Sequence, residues 1–118
     1  MSAAPFKITK SERTLLRQLA EEAWNAELSD HFLELYEDFG RWADDGMSAL
    51  DLTEKIHNFH DGISRELYNR YANLDPAISV ARAIAFGFVE EEVLGESLGR
   101  KLAHEIQAFR KLKDEKDE

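Results

Sequence analysis

The chain has 118 residues, of which 43% are hydrophobic and 33% are charged, and its formal net charge at pH 7 is −9. This length and composition are typical of a globular protein and exclude an intrinsically disordered chain. The absence of cysteine excludes disulfide bonds, thiolate metal sites and cysteine nucleophiles.

The pattern of apolar residues bears on the compartment. No apolar run approaches the roughly 20 residues that a membrane-spanning helix needs. The N-terminal sequence MSAAPFKITK lacks the apolar segment of a secretory signal peptide. We therefore expect a soluble, cytoplasmic protein with no membrane partner.

The negative charge is concentrated in the middle of the chain. Residues 21–66 carry thirteen acidic residues against three basic ones. Such a segment repels phosphate backbones, so we expect no nucleic-acid partner, by a helix-turn-helix or otherwise. The favoured interpretation is a solvated acidic surface. The alternatives are a docking surface for a basic partner and a place where divalent cations collect.

Helix breakers are sparse, and strand patterns are nearly absent. The chain has two prolines, Pro5 and Pro76, and six glycines. Long helices tolerate few of either residue. The sequence therefore predicts an all-α fold, a compact antiparallel bundle of four to five helices with a long first helix that is straight or bent. We expect one domain over residues 1–118, with frayed termini at 1–8 and 114–118.

The first predicted helix begins near Thr9, which forms a capping-box pattern with Glu12. Its apolar residues form two stripes, one before and one after residue 26, which point about 160° apart around a helix axis. Either the chain breaks near Ser29 or a single long helix packs on opposite sides along its length. No glycine or proline lies between Thr9 and Phe39, which favours one helix. We expect it to end with Gly46 in the left-handed conformation.

Aromatic residues dominate the second stripe. Phe32, Tyr36, Phe39 and Trp42 belong to it, and together with Trp24 at the end of the first stripe they form an aromatic-rich stripe. At helical spacing such a stripe most often belongs to the core. The alternative is a dimer interface, since aromatic residues are enriched in interfaces.

Three further helices follow. Ser48 is an N-cap candidate for a helix that closes at 71–73. Asp75 and Pro76 open the next helix, which is apolar nearly all round and is expected to be buried up to Gly87. The last helix is expected over residues 90–113, with three glutamates at its start and basic residues at its end, as the helix dipole favours.

One segment gathers polar groups that carry chemistry. In an α-helical projection, two imidazoles, a carboxylate, hydroxyls and phenols fall on one flank of the second helix. The candidate ligand or polar-network residues are His57, His60, Asp61, Ser64, Arg65, Tyr68 and Tyr71.

Metal binding is one hypothesis for this flank. His57 and His60 are three residues apart and His57 and Asp61 four apart, spacings that bring side chains to one ion. Glu54 with His57 is similar to the Glu-x-x-His element of di-iron carboxylate bundles, although no second copy of that element is present. A divalent transition metal here would need further ligands. The candidates for completing the ligand set are Glu54, His31 and His104.

The favoured hypothesis for the same flank is structural. His57, Ser64 and the tyrosines then form a hydrogen-bonded network that fixes helix register. A third hypothesis is a polar groove for a peptide or small molecule, which Gly62 would favour, because a glycine within a helix often marks close approach or open space.

No nucleophile elbow, phosphate-binding glycine loop or zinc-ligand pattern is present, so the sequence indicates no enzyme activity and no cofactor. The sequence favours a non-enzymatic protein-interaction or assembly module that binds a protein partner or a second copy of itself. The alternative is a metal- or small-ligand-binding bundle that uses His57, His60 and Asp61.

Overall fold

A computed structural model describes residues 7–117, and within this range the chain forms helices and turns without a strand. The five α-helices are α1 (Lys10–Ala43), α2 (Ala49–Phe59), α3 (Arg65–Asn73), α4 (Pro76–Phe86) and α5 (Gly95–Asp117). The predicted all-α fold, with four to five helices and a long first helix, is confirmed. No helix in this range combines the length and apolar character that crossing a bilayer requires.

Helix α1 runs unbroken through the region where two alternatives were open, so the single long helix is confirmed. The predicted capping box closes its N-terminus. The Glu12 amide donates to Oγ1 of Thr9 over 3.1 Å, and the Thr9 amide donates to Oε1 of Glu12 over 2.9 Å. Two backbone donors that an α-helix leaves unpaired are thereby satisfied.

The C-terminus of α1 differs from the prediction at one residue. Asp45, and not Gly46, takes the left-handed conformation, with φ of 63°. The Gly46 amide donates to the Arg41 carbonyl over 2.7 Å, and the Asp45 amide donates to the Trp42 carbonyl over 3.1 Å. These two bonds form a Schellman motif. The left-handed residue of this motif is Asp45, and Gly46 is the residue that follows it.

By its contacts the chain divides into two compact units. The first unit contains the residues up to Ala23 and those from Leu74 onward, and the second unit is Trp24–Asn73. Helix α1 contributes residues to both. The prediction of one domain over 1–118 stays a prediction. The predicted fraying of the termini also stays a prediction, because residues 1–6 and 118 lie outside the described residues. Helix α5 continues to Asp117.

The first unit holds a well-packed apolar core. Helix α4 is buried along most of its length, as predicted. At its N-terminus the Asp75 side chain accepts a hydrogen bond from the Ala77 amide over 2.8 Å. At its C-terminus Gly87 is left-handed, with φ of 89°. Its partners come from α1, α5 and the turn before α5. The buried core residues are Leu16, Leu19, Val80, Ala81, Ile84, Leu94, Leu98, Leu102 and Ile106.

The last helix begins later than predicted. Residues Glu91–Leu94 form a 3-10 turn, and α5 starts at Gly95, where φ is 78°. A positive φ is incompatible with a continuing right-handed helix, so the acidic run precedes α5 and does not form its first turn. The end of α5 at Asp117 lies four residues beyond the predicted end.

The helix predicted from Ser48 to residue 73 is interrupted. Ser48 caps α2 by accepting from the Asp51 amide over 3.0 Å, as predicted. Between α2 and α3, residues His60–Ser64 form a π-helical turn. Such a turn closes i→i+5 hydrogen bonds and holds one residue more than an α-turn. Residues after it are therefore rotated by about 100° from their position in an uninterrupted α-helix.

Candidate functional site

The second unit buries little apolar surface. Among the apolar side chains of Trp24–Asn73, only Leu52 and Leu67 are buried. The segment also carries eleven acidic residues against four basic ones. Fifty residues with so few buried apolar side chains have a small hydrophobic contribution to stability. The feature that distinguishes this unit is therefore its surface.

Aromatic side chains line that surface. Phe32 is 50% exposed, Tyr36 77%, Phe39 44% and Trp42 45%. The favoured prediction that this stripe belongs to the core is wrong for these four residues; Trp24 is half-buried. A contiguous set of exposed aromatic side chains is uncommon on monomeric proteins and marks interaction sites.

Three of these residues share one side of α1. Phe32, Tyr36 and Phe39 are spaced at i, i+4 and i+7, so they form a stripe along one side of the helix. Leu33 and Gly40 border the stripe and are also exposed, and Ala43 extends it by one turn. We call this set the aromatic face. Its members are Phe32, Leu33, Tyr36, Phe39, Gly40 and Ala43.

The aromatic face is free of charge, although the helix is acidic. In the projection of residues 28–43, the charged side chains fall within an arc about 100° wide on the opposite side of α1. They are Asp30, Glu34, Glu37, Asp38 and Arg41. Segregation of this kind is the pattern of an amphipathic helix whose apolar side is covered by another element.

Helix α2 covers one edge of the aromatic face. The Phe32 and Phe59 rings lie 5.3 Å apart at 48°, a tilted aromatic pair. Ile56, one turn before Phe59 on α2, is 39% exposed. The exposed apolar surface therefore continues from α1 onto α2.

A polar cluster lies elsewhere in the second unit, between α1 and α3. Glu27 is 6% exposed, and its two carboxylate oxygens accept from the Tyr71 hydroxyl over 2.8 Å and from Arg70 over 3.2 Å. The Trp24 ring stacks on Tyr71, with centroids 5.7 Å apart and planes 6° apart, and contacts Tyr68 in a tilted arrangement. These contacts join α1 to α3 through a neutralised buried carboxylate.

The structure divides the predicted polar flank. His57 Nε2 lies 2.9 Å from Asp61 Oδ2, and both side chains are exposed. Tyr71 instead meets Glu27, and Tyr68 meets Trp24. The π-helical turn causes this separation, because it rotates the tyrosines of α3 away from the flank that carries His57.

The remaining candidate residues of this flank lie outside both the His57–Asp61 pair and the Glu27 cluster. His60 and Arg65 are exposed, and Ser64 is half-buried. A Cβ added at Gly62 would meet no atom within 4 Å, so no part of the described chain requires a glycine there by close approach. Tyr71 belongs to a hydrogen-bonded cluster around Glu27 that the sequence did not predict, whereas His57 belongs to a separate surface pair with Asp61.

Within residues 7–117, no group of three or more His, Asp or Glu side chains is arranged to hold a metal ion. The residues nominated to complete a site lie apart from His57. His31 lines a groove between α1 and α2 of about 300 Å³, together with Lys55 and Asn58. His104 lies on α5, which belongs to the first unit. The groove also contains Asp38, which is buried and paired with Arg41.

Comparison of the chain with models of protein families, with curated protein sequences and with solved structures finds no match in any of the three. The sequence predictions did not include Glu27, since a carboxylate in an acidic segment is ordinarily a surface residue. Its spacing of three residues from Trp24, on the same side of α1, was the available signal.

Proposed function

We propose that the protein is a non-enzymatic protein-interaction or assembly module, and that the aromatic face is its binding surface. The observation that carries the proposal is the exposure of Phe32, Tyr36 and Phe39 on the uncharged side of α1. Aromatic residues at the centre of an interface contribute most of its binding energy. Solvent exposure of this set in the isolated chain is unfavourable, and a bound partner would remove it from water.

The small number of buried apolar residues in the second unit supports the same conclusion. Leu52 and Leu67 are its buried apolar side chains, and the Trp24–Tyr71 stack adds aromatic contact. A helical unit of this kind gains stability when a partner covers its open apolar side. Interaction and stability are then coupled in the second unit.

The chemistry of the other candidate surfaces favours an interaction module over an enzyme. His57 and Asp61 form an exposed pair, and the buried Glu27 is held by Tyr71 and Arg70. Both donors to the Glu27 carboxylate come from α3, so this group serves the contact between α1 and α3.

Site-specific photo-crosslinking tests the proposal. A benzophenone amino acid is placed at position 36 in the organism that encodes the chain, and covalent adducts are identified by mass spectrometry. We expect a defined protein adduct at position 36 and none at position 96, where Glu96 has an exposed side chain on α5. Adding Phe32→Lys should abolish the adduct at position 36. Equal labelling at both positions, or no adduct at either, would contradict the proposal.

A further inference from the structure

We infer that the occupant of the aromatic face is a second copy of this chain, bound through a two-fold symmetric contact centred near Tyr36. This inference rests on the proposed function and specifies its partner. It is carried by the charge pattern of α1, by the apolar area left open and by the position of Gly40.

The charge pattern distinguishes a second copy from a basic partner. In helix pairing, the residues that flank the apolar stripe select the partner by forming ion pairs across the interface. On α1 the flanking positions are Leu33 and Gly40 on one side and Leu35 and Trp42 on the other. None of them carries a charge, so a basic helix would find no carboxylate beside the stripe.

The acidic residues of α1 do not oppose self-association. Asp30, Glu34 and Glu37 point to the side of α1 away from the aromatic face. In a contact between two aromatic faces, these carboxylates lie on the outside of the pair, in water and screened by salt. The strong net charge of the chain is thus compatible with a dimer through this face.

The exposed apolar area is of the size that a symmetric dimer needs. The exposed fractions of six side chains correspond to roughly 600 Å² of open apolar surface. These side chains are Phe32, Leu33, Tyr36, Phe39, Trp42 and Ile56. A stable interface buries about 800 Å² of surface per partner. The polar residues at the rim would supply the difference. In a two-fold contact the same patch serves both copies, so no second complementary surface is needed.

Gly40 indicates where the second copy approaches. A glycine within a helix is less favourable than any residue except proline. A Cβ at Gly40 would meet no atom within 4 Å, so the described part of the chain leaves the space beside this glycine open. Gly40 lies one turn after Tyr36, within the aromatic face. A second helix crossing near Tyr36 would pass closest to the backbone at this glycine.

Sedimentation equilibrium of the purified chain tests the inference directly. We expect a reversible dimer, and we expect Tyr36→Lys to raise its Kd by on the order of 100-fold, since an interfacial aromatic is lost from both copies. Circular dichroism checks that the variant folds. We expect it to fold, because Tyr36 is exposed and its replacement removes no buried contact. The matched control is Leu112→Lys, which places the same charge at an exposed leucine of α5 and should leave the Kd unchanged.

Gly40→Leu separates a specific contact from general stickiness. The substitution adds apolar surface to the face, so nonspecific association would become tighter. A close helix crossing would instead be blocked, and the Kd should rise. A dimer that Gly40→Leu strengthens and Tyr36→Lys leaves intact would overturn the inference.

The lack of cysteine allows a positional test. Single substitutions Phe32→Cys, Tyr36→Cys, Phe39→Cys and Leu112→Cys are oxidised under the same conditions, and the rate of intermolecular disulfide formation is measured. We expect Tyr36→Cys to react fastest, because a residue near a two-fold axis lies beside its own counterpart. A rate no greater than that of Leu112→Cys at every position on the face would overturn the inference.

The experiments distinguish failure of this inference from failure of the proposed function. A strict monomer that is still cross-linked from position 36 to a different protein would overturn only the second copy as partner. A strict monomer without any adduct at position 36 would overturn both.

Discussion

The Tyr71 hydroxyl donates to the carboxylate of Glu27 over 2.8 Å, across 44 residues of sequence. Glu27 is buried, and Arg70 donates to its other oxygen. A buried carboxylate that loses a donor bears the cost of its missing solvation. This hydrogen bond therefore stabilises the contact between α1 and α3.

Replacement of Tyr71 by phenylalanine tests that contribution. Tyr71→Phe keeps the ring that stacks on Trp24 and removes only the hydroxyl. We expect the free energy of unfolding to fall by about 1–2 kcal/mol, because hydrogen bonds to charged groups are stronger than average. Urea unfolding measures the change. Tyr68→Phe is the control, since the Tyr68 side chain is largely exposed, and equal losses in the two variants would contradict the assignment.

The end of α1 offers a stabilising substitution. Asp45 has φ of 63°, a conformation that costs a residue with a Cβ about 1 kcal/mol. Asp45→Gly should therefore raise the free energy of unfolding by about 0.5–1 kcal/mol. Asp44→Gly removes the same charge one residue earlier, where φ is not positive, and should not stabilise. A gain in both variants would assign the effect to the helix dipole and not to backbone strain.

Acid stability should depend on Glu12. Chiefly the hydrogen bond from Lys101, and next that from the Thr9 amide, lower the pKa of the Glu12 carboxyl from 4.5 to about 2. Because the pKa is lower in the folded state, the stabilisation is present above pH 4.5 and is lost as the pH falls toward 2. Urea unfolding across this range should show wild type and Glu12→Gln converging at the acid end. In a Lys101→Met background, the difference in unfolding free energy between the chain that keeps Glu12 and the chain with Glu12→Gln should be smaller. A difference in unfolding free energy that does not change with pH would contradict the assignment.

Metal addition tests the alternative role of the histidine flank. His57 and Asp61 supply two exposed ligands, and no third is arranged beside them in residues 7–117. We expect zinc and manganese to leave Tm unchanged in a thermal melt with and without chelator. We also expect His57→Ala to change stability by less than about 1 kcal/mol, as for exposed ion pairs. A rise in Tm with one metal that His57→Ala removes would establish a site, since ligand binding to the folded state alone raises stability.

The predictions from sequence were most accurate where structure depends on neighbouring residues. The Thr9 capping box, the Ser48 and Asp75 caps and the end of α4 at Gly87 are all confirmed. Each of these features involves residues within a few positions of one another, so the local sequence contains the necessary information.

Burial and register were not predictable in the same way. The aromatic stripe has the spacing of a core helix, and spacing alone cannot tell an interior from an uncovered surface. The π-helical turn in His60–Ser64 could not be read from an α-helical projection, which assumes one angle per residue throughout. That assumption placed Tyr71 beside His57, whereas the structure places it on Glu27.

The π-helical turn also determines which changes in chain length the second unit can tolerate. Deleting one residue within His60–Ser64 would restore ordinary α-helical bonding and leave the flanking helices in their present orientation. Deleting one residue elsewhere in α2 or α3 would rotate everything between that point and the π-turn by about 100° and misalign its contacts. Among related sequences, single-residue gaps in this part of the chain should therefore fall within those five positions.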